Sequence, residues 1–143
     1  MWQIRKCSAA DFDRVAGLLR QLWPNKPTDL KRLRLAWDRS LASTSQRLVC
    51  AIDNGEVVGF CSLSIKNSLW NEAPLAHVDE LVVAERAREQ GIGTGLMDYV
   101  IDMAEKAGCT RIELDSAFHR EEAHAYYERK GFEKRAFLFS LPL

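Results

Sequence analysis

Three glycines at alternate positions, Gly91, Gly93 and Gly95, stand between the run "ELVV" and an amphipathic stretch that ends near Ala107. No other feature of the chain restricts the fold as strongly. "AHVDELVV" (76–83) is predicted to be a strand. Beyond the glycines, Leu96, Val100, Ile101 and Ala104 recur at helical spacing, and Gly108 is placed to cap the helix. A strand that turns through glycine into a helix leaves the first helical amides without intrahelical partners, and the helix dipole adds positive charge there. Glycines also let oxygen atoms approach the backbone closely, so the unit suits a phosphate group.

Spacing narrows which phosphate. A Walker A loop requires Lys and Ser/Thr after its last glycine, but Gly95 is followed by Leu96 and Met97. A dinucleotide fingerprint belongs to a series of long parallel strands, which the sequence lacks. Arg88, Gly91 and Gly93 fit a pyrophosphate cradle of the R-x-x-G-x-G type, in which the arginine adds a charge-assisted contact. The other reading of the same glycines is a helix start that packs closely on its sheet.

Around this unit the chain reads as a mixed α/β domain spanning residues 1–143. Ser8 and Asp11 stand in capping-box spacing before a helix that carries Phe12, Val15, Ala16, Leu19, Leu22 and Trp23 on one face and stops at Pro24. A second helix is predicted from Thr28 to about Ala42. "RLVCAID" and "EVVGFCSLSI" form a hairpin through Asn54-Gly55. Strand 111–115, helix 121–131 and a last strand at 135–141 follow. The order predicts helices first, then a mixed, mostly antiparallel central sheet flanked by helices, with one parallel crossover.

Twenty basic residues balance twenty acidic ones, so no global field favours nucleic acid or an anionic membrane. The first twelve residues lack the apolar stretch of a secretory leader, which makes a cytoplasmic protein the expectation. Cys7, Cys50, Cys61 and Cys109 show neither C-x-x-C spacing nor a metal-ligand pattern. They read as small buried hydrophobes, with no metal and no disulfide framework.

"DELVVAERAREQGIGTGLM", "CTRIELD" and "AHAYYERKGF" together resemble the GCN5-related N-acetyltransferases over nearly the whole chain. The resemblance implies acetyl-CoA as co-substrate. It places the pantetheine arm along Leu81, Val82 and Val83, and the pyrophosphate in the loop of Arg88, Glu89, Gln90, Gly91, Ile92, Gly93, Thr94 and Gly95. Two positions depart from the family pattern. Glu89 stands where glycine is common, and its carboxylate is expected to point into solvent; Arg120 replaces a common asparagine.

Tyr127 matches the family's general-acid tyrosine, and a phenol with a pKa of about 10 keeps its proton at neutral pH. Tyr126, about 100° away on the helix, is expected in the core. Two residues compete for the role of base. His77 matches a position often held by a base in this family, and it shares a strand face with Asp79. Glu80 matches a glutamate common in the "ELVV" form and is expected to face the other way, bracing neighbouring loops.

The acceptor is expected to be a small-molecule primary amine, an aminoglycoside ahead of an aminoalkylphosphonate. "LLRQLWPNKPTD" resembles aminoglycoside 6'-N-acetyltransferases, which would set Asp79 and Asp115 against a polycation. "HREEAHAYYERKGFEKRAFLF" resembles aminoalkylphosphonate N-acetyltransferases, which would set His119 and Arg120 against a phosphonate. Trp23, with Trp37 and Trp70, is a candidate wall for the acceptor pocket. Acetylation of peptide amines and a CoA-binding module without turnover are the competing functions. The alternating aromatics of "AFLFSL" suit pairing between two copies of the chain.

Overall fold

Asn54 and Gly55 both adopt left-handed backbone, with φ of 50° and 78°. That is the conformation a two-residue hairpin needs to match the twist of its strands. It joins β2 (Gln46–Asp53) to β3 (Glu56–Ser68). The computed structural model describes residues 1–143, and its sheet grows outward from this hairpin. β1 (Trp2–Lys6) pairs with β2, and β4 (Ala73–Val83) pairs with β3, all antiparallel. β5 (Arg111–Leu114) runs parallel to β4, giving the order β1-β2-β3-β4-β5. The single parallel pair is made by the crossover through α3 (Ile92–Lys106), as the order of elements predicts.

β1 is the element that the sequence reading missed. Its Trp2 and Ile4 alternate with polar Gln3 and Arg5, but five residues carry too short a pattern to compete with the helix that follows. The last expected strand is corrected in the opposite direction: residues 133–143 pair with no strand.

Adjacent residues of β3 show how the layers divide. Phe60 turns to α1 (Phe12–Leu22) and α2 (Leu30–Ala42), stacking on Trp37, which in turn meets Phe12 edge-on. Gly59 faces α3, and a Cβ there would lie 3.0 Å from Leu96 and 3.1 Å from Ile92. The sheet therefore has α1 and α2 on one face and α3 on the other. α4 (Glu121–Arg129) lies beside α3, tied by Thr94 Oγ1 to the Tyr126 hydroxyl at 3.1 Å and by Lys130 to Asp98 at 2.8 Å. Asp29 caps α2, accepting from the amides of Lys31 and Arg32. No helix is long and apolar enough to cross a membrane.

Candidate active site

β4 and β5 pair only from Leu75 to Val78, opposite Arg111 to Leu114, and then part. The gap they leave is the mouth of the site. Ala84 donates its amide to Val58 of β3, so the carbonyl of Val83, on the same peptide, points away from β3. The peptide groups of Leu81, two residues back, point the same way, into the gap that β5 has vacated. The Val83 carbonyl itself accepts from Gln21 Nε2 at 2.9 Å. Val82 is buried in the core, and Val83 is half-buried beside Gly93.

A bulge sets the acidic residues. Glu80 pairs with Ser62 and Val78 with the next residue, Leu63, which leaves Asp79 as the extra residue of β4. Strict alternation cannot bring Val78, Asp79, Glu80 and Leu81 to one cavity, but the bulge does. Glu80 therefore lines the same cavity as Asp79, correcting the expectation that it faces away. The cavity encloses about 440 Å³. Trp23, Lys26, Asp115, Ser116, Arg120 and Tyr127 complete the part of the wall that bears on chemistry.

Tyr127 is 9% exposed and stacks edge-on against Tyr126 and Phe132. Burial pushes its phenol above the ordinary range, against the opposing pull of the Arg120 charge, so it remains a proton donor at neutral pH. Tyr126 packs against the edge of the core rather than inside it. It is the less buried of the two, and its hydroxyl is engaged with Thr94.

Glu80 accepts from Ser62 Oγ at 2.5 Å through Oε1, and its amide donates to the same hydroxyl at 3.0 Å. Burial raises its pKa, and the Ser62 hydrogen bond partly offsets this. His77 is placed differently. Its Nδ1 meets Asp79 at 2.8 Å and its Nε2 meets Asp115 at 2.9 Å. Facing a carboxylate at each nitrogen, the ring has its pKa raised, first by the Asp79 hydrogen bond and against the opposing pull of burial. His77 does not line the cavity. It clips the end of β5 to β4 through its two carboxylate partners. Each Asp79 oxygen has one partner, the second accepting from Ser64 Oγ, and each keeps a lone pair for a further donor.

Of the three candidate tryptophans, only Trp23 reaches the cavity. Trp37 is in the core, and Trp70 lies on the surface under the guanidinium groups of Arg111 and Arg135. Sequence reasoning did not single out Ser116 or Lys26. The Ser116 hydroxyl is buried in the cavity wall without a partner.

The glycine turn divides into an exposed and a packed part. Arg88, Glu89, Gln90 and Gly91 are exposed, and Gln90 is pinned through its carbonyl by Trp2 Nε1 at 3.1 Å. Glu89 points to solvent as expected, and it adopts φ of 64°, a region where glycine is at home and glutamate is strained. Gly91, at φ of 80°, begins α3 and leaves the amides of Ile92, Gly93 and Thr94 as the open first turn. Ile92 contributes only its backbone, because its side chain is in the core. Gly95 is corrected. Its amide already bonds the Gly91 carbonyl at 2.9 Å, and a Cβ on it would lie 2.5 Å from the Trp2 ring. Its role is close packing of α3 on β1. The open amides and exposed Arg88 form a donor set suited to a pyrophosphate.

Residues 12–132 match the acetyltransferase (GNAT) family. The chain belongs to that family. GNAT enzymes draw the acetyl group from acetyl-CoA. This GNAT chain is 30% identical to an aminoalkylphosphonate N-acetyltransferase of Salmonella typhimurium over 141 residues, covering 99% of itself and 91% of the relative. It is 24% identical to an aminoglycoside N(6')-acetyltransferase type 1 of the same organism, covering 92% of itself and 91% of the relative. Among solved structures, the aminoglycoside N-acetyltransferase AAC(6')-Iy in complex with CoA superposes with a TM-score of 0.87 at 20% identity. That match covers 100% of this chain and 95% of the other, and it establishes a shared fold.

Proposed function

We propose that this GNAT enzyme acetylates the primary amine of a small molecule that also carries an anionic group. The observation that carries this reading is the mixed charge of the cavity. Asp79, Glu80 and Asp115 are answered there by Lys26 and Arg120, and His77 bridges Asp79 and Asp115 from behind. A polycation would meet these positive groups, whereas an amine joined to a phosphonate or phosphate finds a partner for each end. The likeness to an aminoalkylphosphonate enzyme agrees with this. The second reading, an aminoglycoside acceptor, rests on Asp79 and Asp115 both lining the wall.

Acetyl-CoA supplies an activated thioester carbonyl and a thiol leaving group. In the proposed mechanism the open turn of α3 with Arg88 holds the pyrophosphate, and the Leu81 peptide groups pair with the pantetheine arm. Glu80 takes a proton from the acceptor ammonium, directly or through water. Tyr127 donates its phenolic proton to the departing sulfur. Asp79 and Asp115 position the acceptor near these groups, and Trp23 walls it. We also propose that two copies associate through residues 135–141.

Thiol release from acetyl-CoA, measured across an aminoalkylphosphonate, an amino-sugar phosphate, an aminoglycoside and a lysine peptide, tests this function. Turnover is expected with the first two at a KM at least about tenfold below that for the aminoglycoside. Tyr127→Phe is expected to lower kcat about a hundredfold. CoA binding without turnover on any amine would make the protein a CoA-binding module, and turnover on peptides alone would remove the small-molecule reading.

A further inference from the structure

At the far edge of the sheet from the acceptor cavity, β1 sets two sulfurs side by side. Arg5 stands opposite Cys50 in the antiparallel register, and the Cys7 amide continues the ladder to the Leu48 carbonyl at 2.9 Å. Cys7 is therefore diagonal to Cys50 on the same sheet face, and their Sγ atoms are 3.2 Å apart. Cys50 is fully buried, while Cys7, just beyond the end of β1, is half-buried and so reachable by a small oxidant. Arg5 Nη1 lies 3.6 Å from Cys50 Sγ, and the same guanidinium grips both oxygens of Asp11 at 2.8 and 2.9 Å.

We propose that Cys7 and Cys50 are a redox modification site, which closes to a disulfide when a peroxide oxidises Cys7. In the first step the Cys7 sulfur attacks one peroxide oxygen. An S–O bond forms, the O–O bond breaks, and the other oxygen leaves as water, giving a sulfenic acid. In the second step the Cys50 sulfur attacks the Cys7 sulfur. The S–S bond forms, the S–O bond breaks, and the hydroxyl departs as water with the Cys50 proton. Overall, two thiols and one peroxide give one disulfide and two waters.

The geometry favours this outcome over others. The sulfurs must close to about 2.05 Å, a small movement for a side chain at a strand end. The Cys7 thiol donates to the Cys50 sulfur and the Arg5 charge faces it, which favours the thiolate at Cys50. The Cys7 thiol, pushed up by the same hydrogen bond, passes its proton to Cys50 as it attacks the peroxide. A divalent metal on Cys7, Cys50 and Asp11 would have to displace Arg5 from the carboxylate and tolerate its charge. The loop that the disulfide closes contains α1 and α2 whole, so oxidation braces the helices that carry Trp23 to the acceptor cavity.

The reduced full-length protein, treated with hydrogen peroxide, is read by intact mass and peptide mapping. Loss of two hydrogen masses is expected, with the Cys7 and Cys50 peptides linked and Cys61 and Cys109 still open to alkylation after unfolding. The melting temperature is expected to rise by at least about 5 °C, and dithiothreitol to reverse it. Cys50→Ser is expected to stop at a sulfenic acid on Cys7 that dimedone traps, and Cys7→Ser to form no link. Oxygen added to Cys7 in the wild type with Cys50 still free would overturn the proposal. So would a link to any other cysteine, an unchanged melting temperature, or one equivalent of zinc kept by the reduced protein against a chelator.

Discussion

As the proposed base, Glu80 meets two opposing demands, and both are visible in its contacts. A base must be ionised to work, yet burial favours its neutral form and raises its pKa. The Ser62 hydroxyl donates to the carboxylate and pulls in the other direction. Activity limited by Glu80 therefore rises with pH through a pKa above the ordinary carboxylate range. Removing the donor with Ser62→Ala is expected to move that acidic limb further upward, while Ser62→Thr keeps it in place. Glu80→Gln is expected to lower kcat/KM about a hundredfold and abolish the limb, as measured by initial rates across pH. An unchanged profile in Glu80→Gln would remove the residue from proton transfer. The sequence made this residue hard to assign, because period-two alternation puts Glu80 on the face opposite Asp79. The bulge that overrides the alternation arises where β3 and β4 slip by one residue, and neither strand's own sequence records that slip.

At the scale of elements, the junction of β1 with the glycine turn joins fold to function. Trp2 lies against Gly95 and donates to the Gln90 carbonyl, so one aromatic ring both receives α3 and fixes the loop before it. Gly95→Ala puts a methyl group into that ring and is expected to cost about 1–3 kcal/mol in urea unfolding. Trp2→Leu in the same chain is expected to recover most of the loss, because the two sites share one contact. A Gly95→Ala enzyme of full stability with a tenfold higher KM for acetyl-CoA would return Gly95 to the phosphate site. The hairpin, α1, α2, α3 and the parallel crossover were legible because their signals are local: Asn54-Gly55, a periodic apolar face, a glycine cap. β1 was not, because what makes it a strand is its pairing with β2, distant in sequence. The strand expected at 135–141 shows the reverse case, an alternating pattern that pairs with no strand of this chain.

At the scale of the whole molecule, that segment is also where the apolar surface concentrates. Phe137 is 74% exposed and Phe139 91%, with Leu138 and Leu141 similarly open. The segment is anchored to its own chain by Arg135, which pairs with Glu113 of β5 at 2.7 Å and covers the Trp70 ring, and by Phe137, whose ring centroid lies 6.2 Å from that of Phe118. β5 is the last strand in the sheet order, so its outer edge has no partner in the same chain. A net charge of zero gives two copies no electrostatic reason to stay apart. If residues 135–141 join two copies, a chain ending at Lys134 should sediment as a monomer while the full chain sediments as a dimer. The truncated chain should keep its far-UV spectrum, because the core of α1, α2, α3 and the sheet uses nothing beyond Phe132. A full-length chain that remains a monomer at high micromolar concentration would exclude the association. An unfolded truncation would instead show that the segment stabilises its own chain, through the Arg135 contacts and the Phe118–Phe137 ring pair.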